Sequence, residues 1–125
     1  MKFCWITISV KDFEKSLEFY TKVVGLSVDR MMNPSPKMKI AFLGSGETKV
    51  ELIYDDGGNV SRSYGQDVSI GFEVDSIEAF MEVLKEKGTA LESGPHQPNP
   101  MIKFIYVLDP NGLKVQFVEN IRAQG

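Results

Sequence analysis

The sequence predicts an α+β fold made of two βαβββ modules, and its late segment Tyr106–Asn120 shows the unit from which each module is built. Two apolar runs flank Asp109-Pro110-Asn111-Gly112, whose residue types favour a tight turn, so the segment is expected to form a β-hairpin. The second run alternates, with Val115 and Phe117 on one face and Gln116 on the other. That polar face is either solvated or the floor of a binding cavity.

An internal repeat is the second observation that predicts this fold. Lys49–Tyr54 aligns with Lys114–Glu119, and Val10–Glu14 aligns with Val74–Glu78, which indicates a duplicated module. We expect one domain, with a first module at residues 1–54, a connecting segment at 55–66 and a second module at 67–120. Two helices among eight short strands would cover one face of each sheet, and the other face is then open to curve around a cavity.

Each module is expected to run from strand to helix to three further strands. Asp12 is suited to cap the first helix and Gly25 to end it, and Asp75 or Ser76 is suited to cap the second, which Gly88 follows. Alternation and turn residues place the strands of the first module at Phe3–Val10, Leu26–Met32, Lys39–Leu43 and Lys49–Tyr54, and those of the second at Val68–Val74, Ala90–Glu92, Lys103–Leu108 and Lys114–Glu119.

Composition excludes several classes of function. The 125 residues are 42% hydrophobic, which suits one compact domain, and a net charge of −3 without a Lys/Arg cluster argues against nucleic acid or an anionic membrane as a partner. The apolar run Phe3–Val10 is too short for a membrane span. The single cysteine, Cys4, is expected to be buried beside Ile6 and to be unreactive, which fits a reducing cytoplasm.

Several motifs resemble those of the vicinal oxygen chelate superfamily. They are the helix Asp12–Tyr20 (Asp-Phe-Glu-Lys-Ser-Leu-Glu-Phe-Tyr), its Gly25-Leu26 exit, the turn at 109–112 and the Lys114–Glu119 strand after it. This superfamily includes glyoxalase I, bleomycin-resistance and fosfomycin-resistance proteins and extradiol dioxygenases. The similarity spans residues 1 to about 120 and is strongest to bacterial lactoylglutathione lyases. It implies a homodimer, a cavity that binds a small molecule, and a divalent metal.

The resemblance also implies a set of site residues, one on the first strand and one on the last strand of each module. The positions that hold metal ligands in such relatives correspond here to Trp5, Glu51, Ser69 and Gln116. Glu51 matches a ligand carboxylate and Gln116 offers an amide oxygen, whereas Trp5 and Ser69 stand where imidazole or another strong ligand belongs. Without nitrogen ligands the set is poor for a transition metal, so we expect no tightly bound cofactor, with zinc, nickel or cobalt as the alternative.

Each candidate residue has a structural and a functional interpretation. Trp5 either fills a site that has lost its function or forms a surface on which a planar ligand stacks. Glu51 is either a solvated carboxylate or a group that binds ligand and transfers a proton. His96 lies in the proline-rich segment Ser93–Pro100, where we expect an exposed loop at the rim of the cavity; its alternative role is ligand binding or acid–base chemistry.

Two functions therefore remain. The first is a metal-free, dimeric protein, similar to the bleomycin-resistance branch, that binds a small planar or cationic molecule through Trp5, Glu51, Ser69, Gln116 and His96. The second is a glyoxalase I-like lyase or isomerase, in which a metal polarises vicinal oxygens and Glu51 moves the proton. The missing nitrogen ligands favour the first.

Overall fold

A computed structural model describes residues 1–56 and 62–122 of the chain. It divides into two compact units, Met1–Ser63 and Tyr64–Gly125. The predicted connecting segment, 55–66, falls partly on residues 57–61, which lie outside the described residues. The described part of that segment begins inside a strand, because β4 extends to Asp55.

Unit 1 contains one helical segment and a four-stranded sheet. Its elements are β1 (Trp5–Ser9), α1 (Phe13–Glu18) followed by a π-helical segment (Phe19–Val23), β2 (Val28–Ser35), β3 (Met38–Leu43) and β4 (Lys49–Asp55). The strand order is β1-β4-β3-β2, in which β1 pairs parallel with β4 and the other pairs are antiparallel.

The helical segment of unit 1 begins as predicted but does not stay α-helical. The Asp12 side chain caps α1 by accepting a hydrogen bond from Lys15 N at 3.0 Å. The backbone then widens, and Val24 N donates to Phe19 O at 3.1 Å, five residues back. The predicted helix between Asp12 and Gly25 is therefore present, with its last turn π-helical, and Gly25 ends the segment as expected, at φ +88°.

Unit 2 repeats the order of unit 1. Its elements are β5 (Ser69–Glu73), α2 (Ile77–Glu86), β6 (Ser93–Asn99), β7 (Ile102–Leu108) and β8 (Lys114–Asn120). The strand order is β5-β8-β7-β6, again with one parallel pair, β5 with β8. Ser76 rather than Asp75 caps α2, since its hydroxyl accepts a hydrogen bond from Ala79 N at 3.2 Å. The predicted pair of βαβββ modules is confirmed.

The turn between β7 and β8 is held by the buried side chain of Asp109. Its Oδ1 accepts hydrogen bonds from Asn111 N at 2.8 Å and Leu113 N at 2.9 Å. Gly112 adopts φ +94°, which a residue with a side chain rarely does. The hairpin predicted from these residue types is therefore formed by the interactions that their side chains allow.

In each unit one face of the sheet is covered by its helix and holds most of the core, and in unit 1 Ile40 and Phe42 are also buried on the face of Glu51. On β4 the buried residues are Val50 and Leu52, and on β8 they are Val115 and Phe117, all at most 5% exposed. The Phe117 ring lies 4.4 Å from that of Phe80 on α2, measured between centroids. The intervening residues of both strands lie on the open face, so the predicted strand parity is confirmed.

The prediction for the sixth strand and for His96 is wrong. We expected a strand at Ala90–Glu92 and a loop through Ser93–Pro100, but β6 spans Ser93–Asn99 and His96 pairs with Phe104 of β7. Proline lacks the N–H that a central strand needs. β6 is an edge strand with breaks in its register, so its prolines are tolerated there.

The prediction for Cys4 is also wrong, because this residue is exposed. β1 begins only at Trp5, so Cys4 precedes the paired part of the strand and is not held against the core. Neither helix in residues 1–56 and 62–122 has the length and apolar composition of a membrane span.

The strand parity of β8 predicts unequal costs of truncation at two adjacent residues. Phe117→Ala removes a fully buried ring and should reduce the free energy of unfolding by about 3–5 kcal/mol. Gln116→Ala is the matched control on the open face of the same strand and should cost far less. Chemical denaturation measures both, and equal losses would contradict the assignment of the faces.

Candidate functional site

The open face of unit 1 places a carboxylate beside a hydroxyl. Glu51 lies on β4 directly across from Thr7 on β1, and Thr7 Oγ1 donates a hydrogen bond to Glu51 Oε1 at 2.5 Å. Glu51 is half-buried, so part of its carboxylate remains accessible from the open face. Thr7 therefore orients the carboxylate, which leaves Glu51 suited to accept a hydrogen bond from a ligand.

Trp5 belongs to an aromatic stack on the same face. Its ring packs edge-on against Phe42 with 5.2 Å between the centroids, and the Arg30 guanidinium carbon lies 4.6 Å from the Phe42 centroid. Phe42 pairs with Glu51 in the sheet, so the stack borders the carboxylate. Trp5 itself remains 45% exposed, which leaves ring surface accessible to a planar molecule.

The open face of unit 2 carries Ser69 and Gln116, but with different neighbours. Gln116 lies across from Gly71 on one side and Tyr106 on the other, and its Nε2 is 3.5 Å from the Tyr106 hydroxyl. A methyl group at Gly71 would lie only 3.4 Å from Gln116 Oε1, so the glycine leaves space beside the amide. Ser69 is exposed at the start of β5 and pairs with Lys114.

His96 contributes to an aromatic groove on unit 2. The groove has a volume of about 650 Å³ and is lined by Pro95, His96, Gln97, Pro98, Phe104 and Tyr106. The His96 ring lies 5.2 Å from Phe104 and 6.3 Å from Tyr106, between centroids, and its Nε2 is 3.2 Å from Ser93 Oγ. The groove is wide open to solvent, and its rings present a shallow apolar surface.

The four positions implied by the family do not form a suitable set of metal ligands. The Trp5 indole has only an N–H donor and no lone pair for a metal, which leaves one carboxylate, one amide and one hydroxyl. Within residues 1–56 and 62–122, no three His, Cys, Asp or Glu side chains are grouped as metal ligands would be. Transition metals with high affinity need nitrogen or sulfur ligands that this set does not supply.

Within each unit the predicted residues share one open face. Trp5 and Glu51 lie on that of unit 1, and Ser69, Gln116 and His96 on that of unit 2. That all of them contact one ligand stays a prediction.

Sequence reasoning missed several neighbours of these residues. Thr7 lies two residues after Trp5 on β1 and therefore on the same face, which is a signal present in the sequence, and the register of β1 with β4 places it opposite Glu51. Tyr106 could have been found from its place in the hairpin, where its register brings it opposite Gln116. Arg30 and Phe42 meet through the pairing of β2 with β3, which the sequence pattern did not define.

Comparisons with a family model and with known proteins point to the same family. A model of the Glyoxalase/Bleomycin resistance protein/Dioxygenase superfamily matches residues 2–117. A lactoylglutathione lyase of Escherichia coli O157:H7 is 30% identical over 129 residues, covering 95% of this chain and 93% of that protein.

Solved structures show the same fold in proteins of different descriptions. The trypanothione-dependent glyoxalase I of Leishmania major superposes with a TM-score of 0.79 at 22% identity, covering 95% of this chain and 86% of that one. TnmS3, an antibiotic binding protein from Streptomyces sp. CB03234, superposes with a TM-score of 0.72 at 19% identity, covering 96% of each chain. At these identities the likeness concerns the fold.

Proposed function

This chain belongs to the Glyoxalase/Bleomycin resistance protein/Dioxygenase superfamily, as its motifs predicted, and we propose that it binds a small planar molecule without a tightly bound metal. The observation that carries this proposal is the aromatic surface on the open faces. Phe104, Tyr106 and His96 form the groove on unit 2, and exposed Trp5 lies on unit 1. Aromatic rings and a few polar groups are the usual lining of sites for flat ligands.

Glu51 is the polar group that we assign to ligand binding on unit 1. Its carboxylate is oriented by Thr7 and bordered by the rings of Phe42 and Trp5. A carboxylate beside aromatic rings favours a cationic substituent, because both attract positive charge. The proposal is compatible with the fold of TnmS3, whose description is that of an antibiotic binding protein.

A lyase activity is the second candidate. It is favoured by the relative named lactoylglutathione lyase, which aligns over nearly the whole of both chains. In that case Glu51 would be the residue that moves the proton, and zinc, nickel or cobalt would be required. The ligand set at Trp5, Glu51, Ser69 and Gln116 argues against it, since none of the four offers nitrogen to a metal.

We further propose that the chain forms a homodimer. Each four-stranded sheet is open at both edges and is covered by its helix on one face only. The candidate residues on the other face remain half-buried or exposed, so a second copy could complete the enclosure of a ligand.

Assembly is tested by sedimentation equilibrium of the purified chain at micromolar concentration. We expect twice the mass of one chain, because a second copy would cover the open faces that the helices leave uncovered. A single-chain mass over the whole concentration range would contradict the proposed dimer without bearing on ligand binding by each unit.

A measurement of metal binding distinguishes the two candidate functions. Titration of the metal-free protein with zinc, nickel and cobalt should show no stoichiometric binding at micromolar affinity, since nitrogen ligands are missing. Lactoylglutathione lyase activity should be absent with or without each metal. Stoichiometric binding together with metal-dependent activity would replace our proposal with the lyase.

Glu51 and Trp5 allow a direct test of the planar ligand. The single tryptophan, Trp5, should change its fluorescence when 2-naphthylmethylammonium or neutral 2-naphthamide binds beside it. Glu51→Gln should weaken the cationic probe by ~1–3 kcal/mol, because a charge-assisted hydrogen bond is lost, and should leave the neutral probe almost unchanged. Calorimetry measures both affinities.

The matched control for this charge change is Glu47→Gln, at an exposed residue of the same unit. It should leave both affinities unchanged. If Glu47→Gln weakens the cationic probe as much as Glu51→Gln, the assignment of Glu51 to the site is wrong and the effect is one of net charge.

A further inference from the structure

A small polar pocket lies next to the aromatic groove of unit 2. It has a volume of about 130 Å³ and is lined by Gln66, Asp67, Val68, Ser69, Tyr106 and Lys114. Tyr106 also lines the groove, so the two cavities share one side chain. A planar molecule lying in the groove could therefore place a polar substituent in this pocket.

Lys114 supplies the positive charge of the pocket. It is half-buried on β8, and its Nζ lies 5.4 Å from the centroid of the Tyr106 ring. Neither ion pair found in the described part of the chain includes it. A partly desolvated ammonium group without a carboxylate partner is a ready binding site for an anion.

The corresponding lysine of unit 1 is used differently. Lys49 occupies the position equivalent to Lys114 in the repeat, but its Nζ donates a hydrogen bond to Gly46 O at 2.9 Å. That bond holds the loop before β4, so the Lys49 ammonium group is already hydrogen-bonded within unit 1. The contrast indicates that Lys114 is the lysine free to act on a ligand.

The remaining groups of the pocket can complete an anion site. The Ser69 hydroxyl and the Tyr106 hydroxyl can each donate a hydrogen bond, and the Tyr106 oxygen accepts from Gln116 Nε2 at 3.5 Å, which leaves its proton for a ligand. Asp67 is the only carboxylate that lines the pocket, and it is exposed. Its charge is therefore better screened by solvent than that of half-buried Lys114.

We propose that the planar ligand carries an anionic group, a carboxylate or a phosphate, that binds to Lys114 and Ser69 while its ring lies against Tyr106 and Phe104. This inference rests on the proposed binding function and adds the chemical class of the molecule bound at unit 2; the cationic substituent proposed for Glu51 concerns unit 1. A pocket of about 130 Å³ accommodates either anion. The ring and the anionic group are then recognised by adjacent parts of one unit.

The test compares three naphthalene probes by calorimetry at low salt: 2-naphthoate, 2-naphthyl phosphate and neutral 2-naphthamide. At least one anionic probe should bind about tenfold more tightly than the amide, as a charge-assisted hydrogen bond to lysine provides. Whichever anion binds more tightly identifies the group. Lys114→Met should abolish the preference and leave naphthamide binding within about twofold of wild type.

Two further variants keep the result interpretable. Lys114→Arg retains the charge and should retain the preference for an anion. Lys49→Met makes the same substitution at the equivalent position of unit 1 and should not alter that preference. Thermal unfolding of each variant checks that the protein is folded before affinities are compared.

The outcomes separate this inference from the function on which it rests. If naphthamide binds as tightly as both anions, or if Lys114→Met leaves the preference intact, the anion site is wrong and planar-ligand binding stands. If Lys49→Met removes the preference as fully as Lys114→Met, the effect is one of net charge and the pocket is not its source. If no probe binds, both proposals are wrong.

Discussion

The alternation of side chains along β4 and β8 is the constraint on which the rest of the structure depends. Each helix covers one face of its sheet, so every second residue of these strands is buried and each residue between them is left on the open face. Glu51 lies between Val50 and Leu52, and Gln116 between Val115 and Phe117. A shift of one residue in register would bury both polar groups and expose the core, so the position of the candidate site is fixed by the packing of its neighbours.

The duplication preserved the framework of the two units and changed their open faces. Lys39 pairs with Glu14 at 3.8 Å in unit 1, and the equivalent Lys103 pairs with Glu78 in unit 2, where the lysine lowers the pKa of the Glu78 carboxyl through a hydrogen bond. These pairs join helix to sheet at corresponding places. On the open faces, by contrast, Trp5 and Ser69 differ, as do Thr7 and Gly71. Only the framework must match for the fold to form, whereas the open faces can take on separate chemistry.

Sequence reasoning succeeded where local chemistry decides the structure. The caps at Asp12 and Ser76, the turn at Asp109 and the parity of β8 follow from side chains acting on nearby backbone or on one helix. It failed where strand pairing determines the structure. The prolines around His96 predicted a loop, but an edge strand pairs on one side only and tolerates them. Contacts such as Thr7 with Glu51 depend on the register between strands distant in sequence, which the alternation within one strand does not define.

The same separation of framework and open face allows a chain to resemble lactoylglutathione lyases over its whole length while the residues of its open face differ from theirs. Similarity over the whole length is determined mainly by core positions, caps and turns, because these are the most numerous constraints on the sequence. Metal affinity depends instead on a few donor atoms. Trp5 stands where a ligand is expected, and its side chain presents an aromatic ring beside Phe42 but no lone pair for a metal. Covering such an apolar surface gains free energy, and the ligand that we propose would therefore be bound for its flat shape before its charge.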